Sequence, residues 1–348
     1  MVRFGKVCLL AWFVFFLLPV RHMQAQGQKK VLFLGNSYTQ VNNLPAMVTS
    51  IAESMGDTMA YGSNTPGGCT FEMHCGNNSM RLICEGGWDV VVMQEQSQLP
   101  AFPIELVEAM VYPFARQLVD SVAAFNPDAE PMFFMTWGRK NGDTEFGSDY
   151  PMMSTYEGMD SLLYARYMAM AEQNNASVCP VGRVWHYLRD HYGEIELYQP
   201  DGSHPSMAGS YAAACAFYTL FFGRDPDSIA YDAGLGMSTA RNIRTAVHAV
   251  VFDSLWQWQK PVPNGICDDY RLAEVSVFPN PAVEEAFLSL PKGMTAEVAL
   301  IGMDGRRWWC QAEVNSSDRI RLAGLPQGLY FLRVATKNGM VVKKIVKR

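Results

Sequence analysis

Charge is scarce in this chain of 348 residues. Asp, Glu, Lys and Arg make up 18% of it and the formal net charge is −6. No basic stripe is present, which argues against nucleic acid as a partner. Long apolar runs are scarcer still. One spans residues 7–20, behind Arg3 and Lys6 and ahead of a small residue, Ala25. It is short for a bilayer and predicts a secretory signal peptide over residues 1–25. No second run of that kind follows, so no transmembrane span is expected in the mature chain. Cys8 lies inside the run without the small residues of a lipobox before it, which excludes a lipoprotein anchor. The other cysteines match no zinc spacing. Cys69, Cys75 and Cys84 stand close enough for one pair to bridge in an oxidising compartment, while Cys179 and Cys215 read as buried free thiols.

What is present is ample core material, 49% hydrophobic residues. The length suits one medium α/β domain plus a small one. Around residues 29–45 the chain reads KKVLFLGNSYTQVNNLP. Val31 to Leu34 form an unbroken apolar run, the pattern of a strand buried on both faces of a parallel sheet. It stops at Gly35-Asn36-Ser37, and a helix is expected over residues 44–55. Strand, tight polar turn and helix raise a side chain at the carboxyl edge of an α/β sheet, here Ser37. Asn36, Ser37 and Thr39 equally suit a plain turn and cap. Far downstream stands Asp201-Gly202-Ser203-His204-Pro205, just before a helix expected over residues 207–222.

Together, the GNS turn and this DxxH segment resemble the first and last signature blocks of the SGNH, or GDSL-like, hydrolases. GNS followed by NNLP is similar to a branch frequent in Bacteroidetes. The resemblance implies a flavodoxin-like three-layer α/β/α domain with a mainly parallel five-stranded sheet, over residues 28–260. It implies Ser37 as nucleophile, His204 as base and Asp201 as the group that orients it, with no metal or organic cofactor. Ser37 and a glycine from the family's second block supply oxyanion N–H groups. That glycine is Gly67 or Gly68, in the loop 62–68. The family's third block ends in GxND, which is absent here. The β-branched strand over residues 88–93 runs instead into Gln94-Glu95-Gln96-Ser97-Gln98. Counting along the strand puts Gln96 at the Asn position, with Gln94 as the alternative, and a Gln amide donates the same N–H one carbon further out.

Further elements are expected as strands at 58–61, 131–136 and 177–181, and as helices at 104–125, 156–174, 184–192 and 237–259. Trp137 and Arg139, after the 131–136 strand, suit sugar stacking and an anionic contact, or a packed Trp beside solvated charge. His74 reads as a cleft residue or a structural histidine. Residues 261–273 read as a linker. Beyond them short alternating strands are expected at 275–281, 296–301, 319–322, 330–335 and 340–346, in a small all-β sandwich. The FPNP opening, GLYFLRV and the basic KKIVKR end resemble the C-terminal sorting domain of type IX secretion substrates, over residues 274–348. That resemblance implies recognition by the type IX machinery and export to the surface or medium of a Gram-negative bacterium.

The combined expectation is a secreted serine esterase, acting on an acylated glycan or a small ester and O-deacetylating the glycan. Two other readings use the same residues: a non-catalytic glycan-binding protein on this fold, and an O-acyltransferase with the same triad.

Overall fold

The computed structural model describes residues 27–259, 275–291, 294–302, 307–315, 318–336 and 339–348. The expected signal peptide, the linker and the Asp304-Gly305 turn lie outside the described residues, as does Asn338 of a turn expected at Asn338-Gly339.

Strands β1 Gln28–Leu34, β2 Thr58–Asn64, β3 Val90–Met93, β4 Glu130–Phe134 and β5 Ser177–Cys179 form one parallel sheet. Their order is β2-β1-β3-β4-β5. Strand side chains alternate between two cores. Val31, Phe33, Val90, Val92, Met132 and Phe134 meet helices Leu44–Ser54, Val181–His191, Met207–Phe222 and Met237–Val250. Leu32, Leu34, Val91, Met93 and Phe133 meet helices Phe71–Gly76, Tyr112–Phe125 and Tyr156–Asn174 on the opposite face. This is the expected three-layer α/β/α domain. Both sheet faces are covered at β1 and β3, which is why these strands read as continuous apolar runs.

After β1 the chain builds β2 on one side and then returns to build β3 on the other. The crevice between the carboxyl ends of β1 and β3 is therefore the topological switch point, where open α/β sheets bind ligands. Ser37 and Gln94 both leave the sheet there.

Two expected helices are broken. The one at 104–125 divides into Ile104–Met110 and Tyr112–Phe125 around Val111, whose φ is −120°. Pro113 has no N–H for the Ala109 carbonyl, and its ring crowds that carbonyl. The one at 237–259 ends at Val250, and a 3-10 turn leads into Leu255–Trp258. There the Trp258 indole N–H donates to the freed Val250 carbonyl at 2.8 Å.

The C-terminal part has its own core, with Ala286, Leu288, Val298, Leu300, Leu332 and Val334 among its buried members. It packs β6 Ser276–Phe278, β7 Glu285–Ser289 and β10 Arg319–Arg321 in one antiparallel sheet. Strands β8 Ala296–Gly302, β9 Arg307–Val314, β11 Gly328–Thr336 and β12 Gly339–Lys347 form the other. The expectation omitted β7 and β9. The β8–β9 pairing shifts register twice, between Ala296 and Val298 and between Leu300 and Ile301. Such irregularities break the period of two by which a strand is recognised.

Candidate active site

Ser37 opens a four-residue helix directly beyond β1. Asn36 caps it, its Oδ1 accepting the Tyr38 N–H at 3.1 Å. Gly35 admits no side chain: a Cβ would stand 2.5 Å from Thr39 Oγ1 and 2.8 Å from Gln94 Oε1. The turn is pressed against the end of β3, and glycine is the residue that permits it.

His204 comes from a loop far along the chain. Its Nε2 lies 2.9 Å from Ser37 Oγ, and its Nδ1 lies 2.5 Å from Asp201 Oδ2. Asp201 Oδ1 accepts the backbone N–H groups of Ser203 at 2.9 Å and His204 at 3.0 Å. Partial burial favours the neutral acid at Asp201. The His204 imidazole and those two N–H groups outweigh it and hold the carboxyl below its usual range. With Asp201 ionised, His204 donates from Nδ1, and Nε2 is left to accept the Ser37 proton. The site is open: the Asp201 side chain is 46% exposed and that of His204 33%.

Gly67 and Gly68 are exposed, and a Cβ at either would meet nothing within 4 Å. Their turn closes with the Cys69 N–H on the Pro66 carbonyl at 3.1 Å, and the Cys69 carbonyl accepts Asn36 Nδ2 at 3.1 Å. The two glycines are thus tied, through Cys69, to the residue before Ser37.

The two glutamines differ. Gln94 is fully buried, with both amide N–H groups engaged, to Asn36 Oδ1 at 2.9 Å and the Glu95 carbonyl at 2.6 Å. Gln96 is half-buried. Its Oε1 accepts the N–H groups of Gln98 and Leu99, and its Nε2 gives one N–H to Gln98 Oε1 at 2.8 Å. A side-chain amide has two N–H groups, and the second of Gln96 has no such engagement among the described residues.

Several residues escaped the sequence reading. Glu95, fully buried, accepts the Phe71 N–H on both oxygens at 3.0 and 3.1 Å and the Gln96 N–H at 2.6 Å. It links the loop after β3 to the end of the glycine loop. Burial pushes its carboxyl up to about 8, against the pull of those N–H groups. Gln98 donates to Asp143 Oδ2 at 2.8 Å, and Arg139 pairs with the same oxygen at 2.9 Å. Nothing in residue spacing marks the contacts of Glu95 and Gln98, while Arg139, expected to make an anionic contact, makes it with Asp143 four residues on.

Other expectations resolve differently. Trp137 is a packed residue rather than a sugar platform, because Tyr38 covers one face at 4.7 Å between ring centres and Trp185 the other at 3.8 Å. His74 is structural: its Nε2–H donates to the Gly35 carbonyl at 3.0 Å and its Nδ1 faces Ser79 Oγ at 2.6 Å. Cys69, Cys75 and Cys84 are free, so the pairing considered among them does not form. Among the described residues, Asp225, Asp227 and His248 bring ligand atoms within 4.8 Å of one another. His248 Nδ1 is hydrogen-bonded to Asp225 at 2.9 Å and lies 3.4 Å from Asp227. No helix of the described residues is long and apolar enough to cross a membrane.

Comparison with known proteins agrees with both parts of the fold. No curated protein matches the chain. A DUF4886 family protein from Bacteroides uniformis ATCC 8492 has a similar structure, with a TM-score of 0.57 and 19% identity, over 68% of this chain and 98% of that one. A candidate SGNH hydrolase from Slackia heliotrinireducens aligns at a TM-score of 0.46 and 25% identity, over 55% of this chain and 98% of its own. A candidate GDSL-like lipase from Parabacteroides merdae ATCC 43184 aligns at 0.41 and 11%, over 57% of this chain and 98% of its own. Residues 276–348 match the family described as the secretion system C-terminal sorting domain, a match that implies export. The chain therefore joins an α/β domain with the fold of the Bacteroides uniformis protein to a tail that matches the secretion system C-terminal sorting domain.

Proposed function

We propose that the protein is an exported serine esterase with Ser37, His204 and Asp201 as its triad. The observation that carries this reading is the relay from Ser37 Oγ to His204 Nε2 at 2.9 Å and from His204 Nδ1 to Asp201 at 2.5 Å. Ser37 Oγ attacks the ester carbonyl while His204 Nε2 takes its proton. The tetrahedral intermediate collapses, His204 returns the proton to the departing alcohol, and an acyl-Ser37 ester remains. Water, deprotonated by His204, then attacks that ester and releases acid and free Ser37. Asp201 holds the productive imidazole tautomer and stabilises the imidazolium. The Ser37 N–H, an N–H of Gly67 or Gly68, and Gln96 Nε2 hold the oxyanion. No step requires a metal or organic cofactor.

The substrate we assign is an O-acetylated glycan. An open site on an exported protein suits an acyl group on a large polar chain. Purified protein should release acetate from a panel of acetylated glycans and acyl esters, read by mass spectrometry. A fluorophosphonate probe should label wild type and leave Ser37→Ala unlabelled. Equal labelling of both proteins removes Ser37 from the mechanism, and an acetylated acceptor in place of free acid makes the protein a transferase.

A further inference from the structure

Ser37 and His204 stand 167 positions apart in sequence and leave different elements, so something must hold the two turns in register. The residue after Ser37 and the residue before His204 touch directly. Tyr38 Oη lies 2.6 Å from Ser203 Oγ. We propose that this contact, backed by Trp137, is a clasp that sets the Ser37–His204 distance, making Tyr38 and Ser203 positioning residues of the hydrolase. The inference rests on the triad reading above.

The clasp runs beside the reacting pair. Ser37 Oγ to His204 Nε2 is one rung between the two turns, and Tyr38 Oη to Ser203 Oγ is the next, one residue along each. Two rungs fix the separation and tilt of the turns, where one would leave rotation free. The Tyr38 end is rigid. Tyr38 is 3% exposed, its ring lies parallel to Trp137, within 1°, and Trp137 lies against Trp185 at 9°. Trp137 also reaches the other end, where its indole N–H donates to the Ser203 carbonyl at 3.1 Å. Ser203 is therefore held by its side chain and its backbone from one aromatic stack. The edge of that stack meets the base itself, with the Tyr38 and His204 rings 5.5 Å apart at 72°.

The rest of the loop is anchored by other groups. Asn42 Nδ2 donates to the Ser206 carbonyl at 3.0 Å and lies 2.9 Å from Ser210 Oγ. The Lys140 N–H donates to the Gly202 carbonyl at 2.8 Å. Losing the phenol hydroxyl thus leaves the loop folded and frees only its register at His204. A geometric fault at a reacting pair lowers turnover without weakening substrate binding.

The test compares wild type with Tyr38→Phe, Ser203→Ala and the double variant, on a chromogenic acetyl ester and with a fluorophosphonate probe. Each single variant should lower kcat about tenfold and slow labelling of Ser37 to the same degree. KM and the melting temperature should stay near wild type. The double variant should match the worse single one, because the Tyr38–Ser203 contact is already lost in each, while Tyr38→Phe also gives up the phenol's bond with Ser97. Labelling and kcat at wild-type rates in both single variants overturn the clasp and leave the triad standing. So does a change confined to KM, or a double variant whose losses multiply. A wild-type protein that takes no label overturns the triad reading, and the clasp with it. Ser203→Ala alone decides the matter should Tyr38→Phe fail to fold.

Discussion

Gln94 and Asn36 form a reciprocal amide pair across the crevice between β3 and β1. Gln94 Nε2 donates to Asn36 Oδ1 at 2.9 Å, and Gln94 Oε1 accepts the Asn36 backbone N–H at 3.1 Å. The same Oε1 accepts the Thr39 hydroxyl at 2.9 Å. One buried side chain thereby supports the residue before Ser37 and the residue two beyond it. The amide at the first position of the loop after β3 is thus a support for the Ser37 turn.

The two glutamines should therefore fail in different ways. Gln94→Ala leaves the Asn36 N–H buried and unpaired, which costs about 1–3 kcal/mol. Its urea midpoint should fall, with labelling of Ser37 lost alongside. Gln96→Glu keeps an acceptor for the Gln98 and Leu99 N–H groups but removes the proposed oxyanion donor. It should lower kcat about a hundred- to a thousand-fold with a stable fold. A Gln96→Glu enzyme with normal kcat would leave an oxyanion hole made of backbone alone.

Glu95 makes stability pH-dependent on the alkaline side. Its folded pKa is raised from 4.5 to about 8, chiefly by burial. The folded protein keeps a proton that the unfolded chain releases, so this contribution is complete below about 4.5 and lost as pH rises through about 8. Glu95→Gln copies the protonated shape and removes that slope. Melting temperatures at about pH 5 and about pH 8.5 should show wild type losing ground to the variant as pH rises. Parallel curves would show that Glu95 does not titrate in this window.

His74 acts on the acid side. Burial lowers its pKa from 6.5 to about 4, against the pull of the Gly35 carbonyl. The neutral ring holds that carbonyl, so its contribution is present above 6.5 and lost as pH falls through about 4. The loss is about 3 kcal/mol in all. Urea midpoints between pH 7 and pH 4 should fall less in His74→Gln than in wild type. An equal fall in both would place the acid sensitivity elsewhere.

Deleting residues 275–348 should spare esterase activity and abolish delivery to the cell surface. The sorting tail buries its own residues in its own core, apart from the two cores of the α/β sheet. Cell fractionation with an activity assay on each fraction checks this. Normal surface amounts of the truncated protein would refute the export role of the tail.

Much of this molecule is legible in the sequence because much of it is local. Covalent spacing puts Asp201 three residues before His204, within reach of both the imidazole and the intervening N–H groups. The helices Tyr156–Asn174 and Met207–Phe222 stand at the bounds expected from the sequence, the second from its run of Ala and aromatic residues, and the unbroken strand runs yield a sheet covered on both faces. The tertiary structure decided whatever depends on which surfaces meet. It brought Ser37 to His204, closed the Tyr38–Ser203 contact, and covered both faces of Trp137. It also separated Gln94 from Gln96, which a count along the β3 strand left as alternatives. Neighbouring glutamines carry identical chemistry in a sequence. Only packing determines which amide is enclosed with all its hydrogen bonds met and which keeps an N–H free.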